Sequence, residues 1–180
     1  MTAQARLRIP VRAADHIRGP EGAPLEVVEY GDYGCPHCAR AYPILERLQE
    51  ALAGEMRFVY RHLPMTATHP DARNAARAAE AAGRQNKFWD MHALLFRNQP
   101  AHDTGSLISY ASALGLDMDQ WLEDMDGEAV KAKVDEDFQG GIRSGANGTP
   151  AFFVNGYRYD GDWAYGPFLE ALKEGMLVGR

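Results

Sequence analysis

The chain holds two cysteines, and they stand three residues apart in the run Cys35-Pro36-His37-Cys38. On a helix, residues at this spacing lie about 5–6 Å apart, and a disulfide spans Cα atoms about 4.4–6.8 Å apart. The pair can therefore open and close with little movement of the backbone. A bridge this local closes a tiny loop and removes little entropy from the unfolded chain, so its value is chemical. The chemistry that fits is thiol–disulfide exchange, in which one thiolate attacks or leaves and its neighbour resolves the mixed disulfide. Zinc also binds paired cysteines, but a structural zinc takes four ligands. There is no second pair, and His62, His69, His92 and His102 show no paired metal spacing, so no metal is expected.

Two elements must position this pair. Leu25 to Tyr30 is apolar and partly β-branched and reads as a buried strand. A helical pattern then runs from Pro36 to about Ala53, with Cys38, Ala41, Tyr42, Leu45, Leu48 and Leu52 on its apolar stripe and Gly54 as its stop. Cys35 falls at the N-cap and Pro36 at the first helical position. The unpaired N–H groups of that first turn favour an anion on Cys35. Cys38, one turn in, is expected to be buried and to act second. His37 is expected to add positive charge or a hydrogen bond. Asp32 sits in a Gly-flanked turn and is expected to be solvated.

Elsewhere, Leu7 to Val11 reads as a short first strand, Gly19 to Pro24 as a turn and Met56 to Leu63 as the next strand. Thr68-His69-Pro70-Asp71 has the form of a capping box before an alanine-rich helix that ends near Ala82. Further helices are read at 86–97, 106–114, 117–125 and 128–142, with Phe88, Trp89 and Phe96 as core. Ala151–Val154 and Tyr157–Tyr159 flank Asn155-Gly156, the favoured hairpin turn, and a last helix follows at 165–176.

The 180 residues suffice for one domain with a full core. A net charge of −6 argues against a nucleic-acid binder. No apolar run approaches the ~20 residues that cross a bilayer, so no membrane insertion is expected. Met1 to Pro20 is not a secretory signal as it stands. The chain as written is expected in the cytoplasm, or outside it if a signal was removed.

The segment Glu29-Tyr30-Gly31-Asp32-Tyr33-Gly34-Cys35-Pro36-His37-Cys38 resembles the DsbA-like branch of the thioredoxin superfamily. Gly148-Thr149-Pro150-Ala151-Phe152-Phe153-Val154-Asn155-Gly156 resembles that family's second motif, and Pro43 resembles the proline many thioredoxins carry in the active-site helix. The resemblance covers about Leu25 to Met176. It implies an α/β thioredoxin fold, as a single domain over 1–180, with a helical insertion at about 70–142. That insertion separates a β-α-β half from a C-terminal β-hairpin-α half. It also implies a cis Thr149–Pro150 bond facing the cysteines, with Thr149 holding substrate backbone in the manner of strand addition. Glu29 would be a buried acid of raised pKa that moves protons to and from Cys38.

The activity so implied is that of a protein disulfide oxidoreductase. Its redox cofactor is the Cys35–Cys38 dithiol itself; no flavin or nucleotide motif accompanies it. Its partners would be protein or peptide thiols and disulfides. The redox partner would be the thioredoxin or glutathione system, or a membrane oxidase if the protein is exported. A redox-sensing or interaction domain, and a glutathione-dependent small-molecule isomerase of the same fold, are the alternatives. Direction stays open. Pro-His between the cysteines points to an oxidising pair, whereas a missing signal points to a compartment that keeps thiols reduced. Thr149 before the proline resembles isomerase-like relatives.

Overall fold

A computed structural model describes residues 4–178 of the chain. These residues form strands β1 (His16–Arg18), β2 (Leu25–Gly31), β3 (Met56–His62), β4 (Ala151–Val154) and β5 (Tyr157–Tyr159), joined in one sheet of order β1-β3-β2-β4-β5. Strands β2 and β3 are parallel, from Leu25↔Met56 to Gly31↔His62, and helix α1 (Pro36–Ala51) makes the crossover between them. The other pairings are antiparallel. A central strand of this kind is covered on both faces. Accordingly Leu25 and Val27 pack with α1 in one apolar cluster, and Val28 and Tyr30 pack with Val59, Leu63 and Phe153 in the other. Glu29 shares the face of Leu25 and Val27, and so lies on the side of the cysteines.

Five helices lie between β3 and β4: α2 (Ala72–Gly83), α3 (Phe88–Arg97), α4 (Thr104–Ala113), α5 (Met118–Asp126) and α6 (Glu128–Arg143). The alanines of α2 explain its central place. Ala72, Ala75, Ala76, Ala78, Ala79, Ala81 and Ala82 are all buried, and their small side chains let α3, α4, α5 and α6 pack around it. Helix α7 (Tyr165–Val178) follows the hairpin and packs on α1. The Asn155-Gly156 turn has φ of 48° and 83°, the left-handed pair that a tight hairpin requires.

Two readings of the sequence are corrected. Leu7 to Val11 is not a strand. Leu7 donates to the Gly156 carbonyl beside a single bridge from Arg6 to Tyr157, and the Ile9 and Pro10 carbonyls accept hydrogen bonds from the Arg61 guanidinium. Those carbonyls serve a buried side chain instead of a ladder, and the first strand is His16–Arg18. The capping box at Thr68 is absent too. Helix α2 starts at Ala72 with Asp71 as its N-cap, which makes no side-chain cap bond, and the His69 ring is turned towards Asp32.

Candidate active site

The active-site turn leaves β2 and enters α1. Cys35 takes the N-cap position with extended backbone, φ −80° and ψ 121°, and Pro36 opens the helix. Both cysteines are free thiols and both are buried. The Cys35 Sγ lies 3.4 Å from the Thr149 carbonyl, to which the thiol donates. Hydrogen bonding from Cys38 is the main force that lowers the Cys35 pKa, to about 5, against the opposing effect of burial. The Thr149 side chain and the backbone N–H groups of Cys38 and His37 add to it. Those N–H groups belong to the first helical turn, where unpaired donors favour an anion.

Cys38 moves the opposite way. Burial pushes its thiol well above the ordinary range, and the hydrogen bond to Cys35 and the charges of Glu29 and Cys35 push it further. The Asp32 backbone N–H faces this sulfur and works against that rise. Glu29 is fully enclosed, and its pKa is raised to about 8, first by burial and then by the Cys35 charge. Its Oε1 has no hydrogen-bond partner. At neutral pH the site therefore holds an anionic sulfur, a neutral thiol and a mostly protonated carboxyl on neighbouring elements.

Pairing of β4 with β2 supplies the facing wall. Tyr30↔Ala151 is the last rung, so Pro150 and Thr149 are delivered to the end of β2 that leads into the cysteines. The Thr149–Pro150 bond is cis. Pro43 is exposed inside α1, two turns beyond Cys35. His37 meets Cys35 through its backbone. Its ring is exposed, and its Nδ1 lies 2.5 Å from an Arg40 guanidinium nitrogen. A guanidinium can only donate, so this ring nitrogen accepts. The Arg40 guanidinium thus stands beside the ring, and the His37 backbone N–H serves Cys35.

Asp32 is not solvated. It is 2% exposed and accepts hydrogen bonds from Gly34 N–H at 2.7 Å, Met65 N–H at 2.9 Å and His69 Nδ1 at 2.8 Å. The bond to Gly34 is an Asx-turn, a pattern readable from an aspartate two residues before a glycine. Gln99, beyond α3, carries no such signal. Its side-chain amide donates to the Tyr33 carbonyl at 2.5 Å and the Cys35 carbonyl at 3.1 Å, which ties the helical block to the turn. Below the turn, Tyr33 bonds His92 Nδ1 at 2.9 Å among Tyr42, Tyr60 and Phe96. Phe88 and Phe96 are buried, as expected of core residues, whereas Trp89 is half-buried under the Arg18 guanidinium.

The histidines do converge in one place. His16 and His62 each set Nε2 against Glu80 Oε1, at 2.7 and 2.8 Å. Three such donors could in principle hold a metal. A metal-bound imidazole, however, donates its other N–H to an acceptor, and His62 Nδ1 is buried with none. Both Nε2 atoms already meet the same Glu80 oxygen, so the three side chains satisfy one another there.

The fold is that of the thioredoxin-like oxidoreductases. The thioredoxin family model matches residues 12–174, and the chain belongs to that family. A thioredoxin-like oxidoreductase from Silicibacter pomeroyi DSS-3 is 30% identical, with 91% of this chain and 92% of that one covered and a TM-score of 0.80. Oxidised BdbD from Bacillus subtilis shares the fold with a TM-score of 0.83 at 24% identity, over 97% and 99% of the two chains. Wolbachia pipientis α-DsbA1 does so with 0.81 at 20%, over 96% of each. Curated relatives include the Na(+)/H(+) antiporter NhaA 1 of Salinispora arenicola, 44% identical over 158 residues, which are 87% of this chain and 24% of that protein. The chain spans about a quarter of the length of such relatives. Among the described residues, no helix is long and apolar enough to cross a membrane.

Proposed function

We propose that the protein exchanges disulfides with protein or peptide substrates through Cys35 and Cys38. The observation that carries this reading is the opposite displacement of two sulfurs one turn apart: Cys35 is lowered to about 5 and Cys38 is raised well above the ordinary range. Such a pair has a built-in order of events. With the pair oxidised, a substrate thiolate attacks the Cys35 sulfur. The new substrate–Cys35 bond forms, the Cys35–Cys38 bond breaks, and Cys38 leaves and takes the Glu29 proton. A second substrate thiolate then attacks the substrate sulfur, and Cys35 leaves as a thiolate. The substrate gains a disulfide, and the Cys35–Cys38 pair takes up two electrons. No other cofactor enters the balance.

A low-pKa thiol leaves faster, and stabilisation of the reduced form makes a pair more oxidising. The lowered Cys35 pKa therefore supports the oxidising direction. Thr149 and the cis Pro150 would hold the substrate strand by its backbone, with Pro36, His37 and Glu29 serving the sulfurs as described. The curated antiporters favour one second reading, in which an exchange module of this kind reports redox state to a larger protein. Oxidative refolding of reduced, denatured ribonuclease separates the two. Cys35→Ser is expected to abolish refolding by the oxidised protein; no turnover by the native chain in any redox buffer would overturn the enzyme reading.

A further inference from the structure

Asp32 joins both cysteines to the rest of the molecule. Its carbonyl accepts the Cys35 N–H at 3.0 Å, and its own N–H faces the Cys38 sulfur. Its carboxylate, wholly enclosed, binds Gly34 N–H, the loop after β3 through Met65 N–H, and the His69 ring. A buried carboxylate is tolerated only where donors replace water, and these three supply that replacement. His69 also closes over the turn. A Cβ at position 34 would meet the His69 Cβ at 2.5 Å and Asp32 Oδ1 at 3.3 Å, so the ring, the carboxylate and Gly34 are packed as one unit. With 21% of its side chain exposed, His69 borders a groove of about 230 Å³ beside Gly34, Pro70 and Pro100.

We propose that Asp32 and His69 are positioning residues that clamp the active-site turn and so hold the Cys35 sulfur against its thiolate-stabilising donors. This rests on the exchange reaction proposed above for the same two cysteines. Gly34 has the freest backbone in the turn, and its N–H is held only by Asp32 Oδ1. Without the clamp, the peptide entering Cys35 can rotate, and Sγ drifts from the N–H groups of Cys38 and His37. Displacements of an ångström are enough to change such chemistry. His69 is faced by Asp32 from the turn after β2, and Asp71 and His102 line the same groove.

The test compares His69→Ala with His69→Gln, whose amide can still donate to Asp32. Thiolate absorbance of the reduced full chain against pH reads Cys35 directly. It needs no substrate, so its outcome is independent of whether the protein turns disulfides over. For His69→Ala the midpoint is expected to rise by about one pH unit or more, tenfold in the thiolate equilibrium. His69→Gln is expected to recover more than half of that rise. An unchanged midpoint in folded His69→Ala overturns the proposal. A glutamine variant no better than alanine also overturns it, because lost charge would then be the cause and not a lost hydrogen bond. If both variants lose cooperative melting, the pair is merely structural and the proposal falls.

Discussion

Glu29 is the buried acid to which the proposed exchange assigns the proton. A carboxyl lifted to about 8 can give a proton at neutral pH and take one just above it. In the proposed exchange it would donate to departing Cys38 in the oxidising direction, and its ionised form would take the Cys38 proton before that sulfur attacks in the reverse direction. Cys35 carries no charge in the mixed disulfide, so the reverse step should quicken as pH rises through a midpoint that burial alone still holds above the ordinary carboxyl range. Glu29→Gln keeps the shape but can do neither. Stopped-flow release of a mixed disulfide at Cys35 should slow about a hundredfold in this variant and lose its inflection. A profile identical to the wild type would remove Glu29 from the proton path. At this scale the sequence was readable where a residue type carries its own chemistry. Cys35 and Cys38 are legible because two thiols three residues apart have few bland uses, and Glu29 is legible only through the family resemblance of its segment. Asp32 and Gln99 were missed because their partners, Met65, His69 and the Tyr33 carbonyl, are brought to them only by the fold.

The elements owe their arrangement to a few buried polar ties as well as to apolar faces. Asp15 and Arg61 form a two-pronged pair, Nε to Oδ1 at 2.9 Å and Nη2 to Oδ2 at 2.8 Å, with the remaining donors on the Ile9 and Pro10 carbonyls and the Tyr30 hydroxyl. This knot pins the N-terminal segment across β3. Removal of one member leaves an uncompensated buried charge, so Asp15→Ala should cost about 3–5 kcal/mol, read by urea unfolding. A loss below about 1 kcal/mol, the scale of an exposed pair, would mean that water reaches Arg61. Local signals sufficed for strands β2 and β3, the Asn155-Gly156 hairpin and the helices between β3 and β4, apart from the start of α2, because apolar period and turn chemistry agreed there. They failed at β1 and at Leu7 to Val11. Each is short, and which one joins the sheet is decided by Arg61, about fifty residues away in sequence.

For the molecule as a whole, the site predicts how redox state and pH together set stability. Cys35 has a folded pKa of about 5 against an ordinary 9.0, so the folded reduced protein releases a proton that the unfolded chain keeps. Its stabilising contribution is absent below about 5 and grows as pH rises above it. Glu29 has the opposite sign. Its folded pKa of about 8 lies above the ordinary 4.5, so its contribution is full below 4.5 and is lost as pH rises through 8. Between about 5 and 8 the two oppose one another in the reduced protein. Oxidation removes the Cys35 term and leaves Glu29 buried. Other shifted groups, such as Glu80 and His92, titrate alike in both forms and cancel in the difference. The melting temperature of the oxidised form should therefore fall relative to the reduced form as pH is raised from 5 to 8. Calorimetry of the two forms across that window measures it directly. A constant difference would mean that neither sulfur has a lowered pKa in the folded protein, and the proposed role of Cys35 as the thiolate would fall.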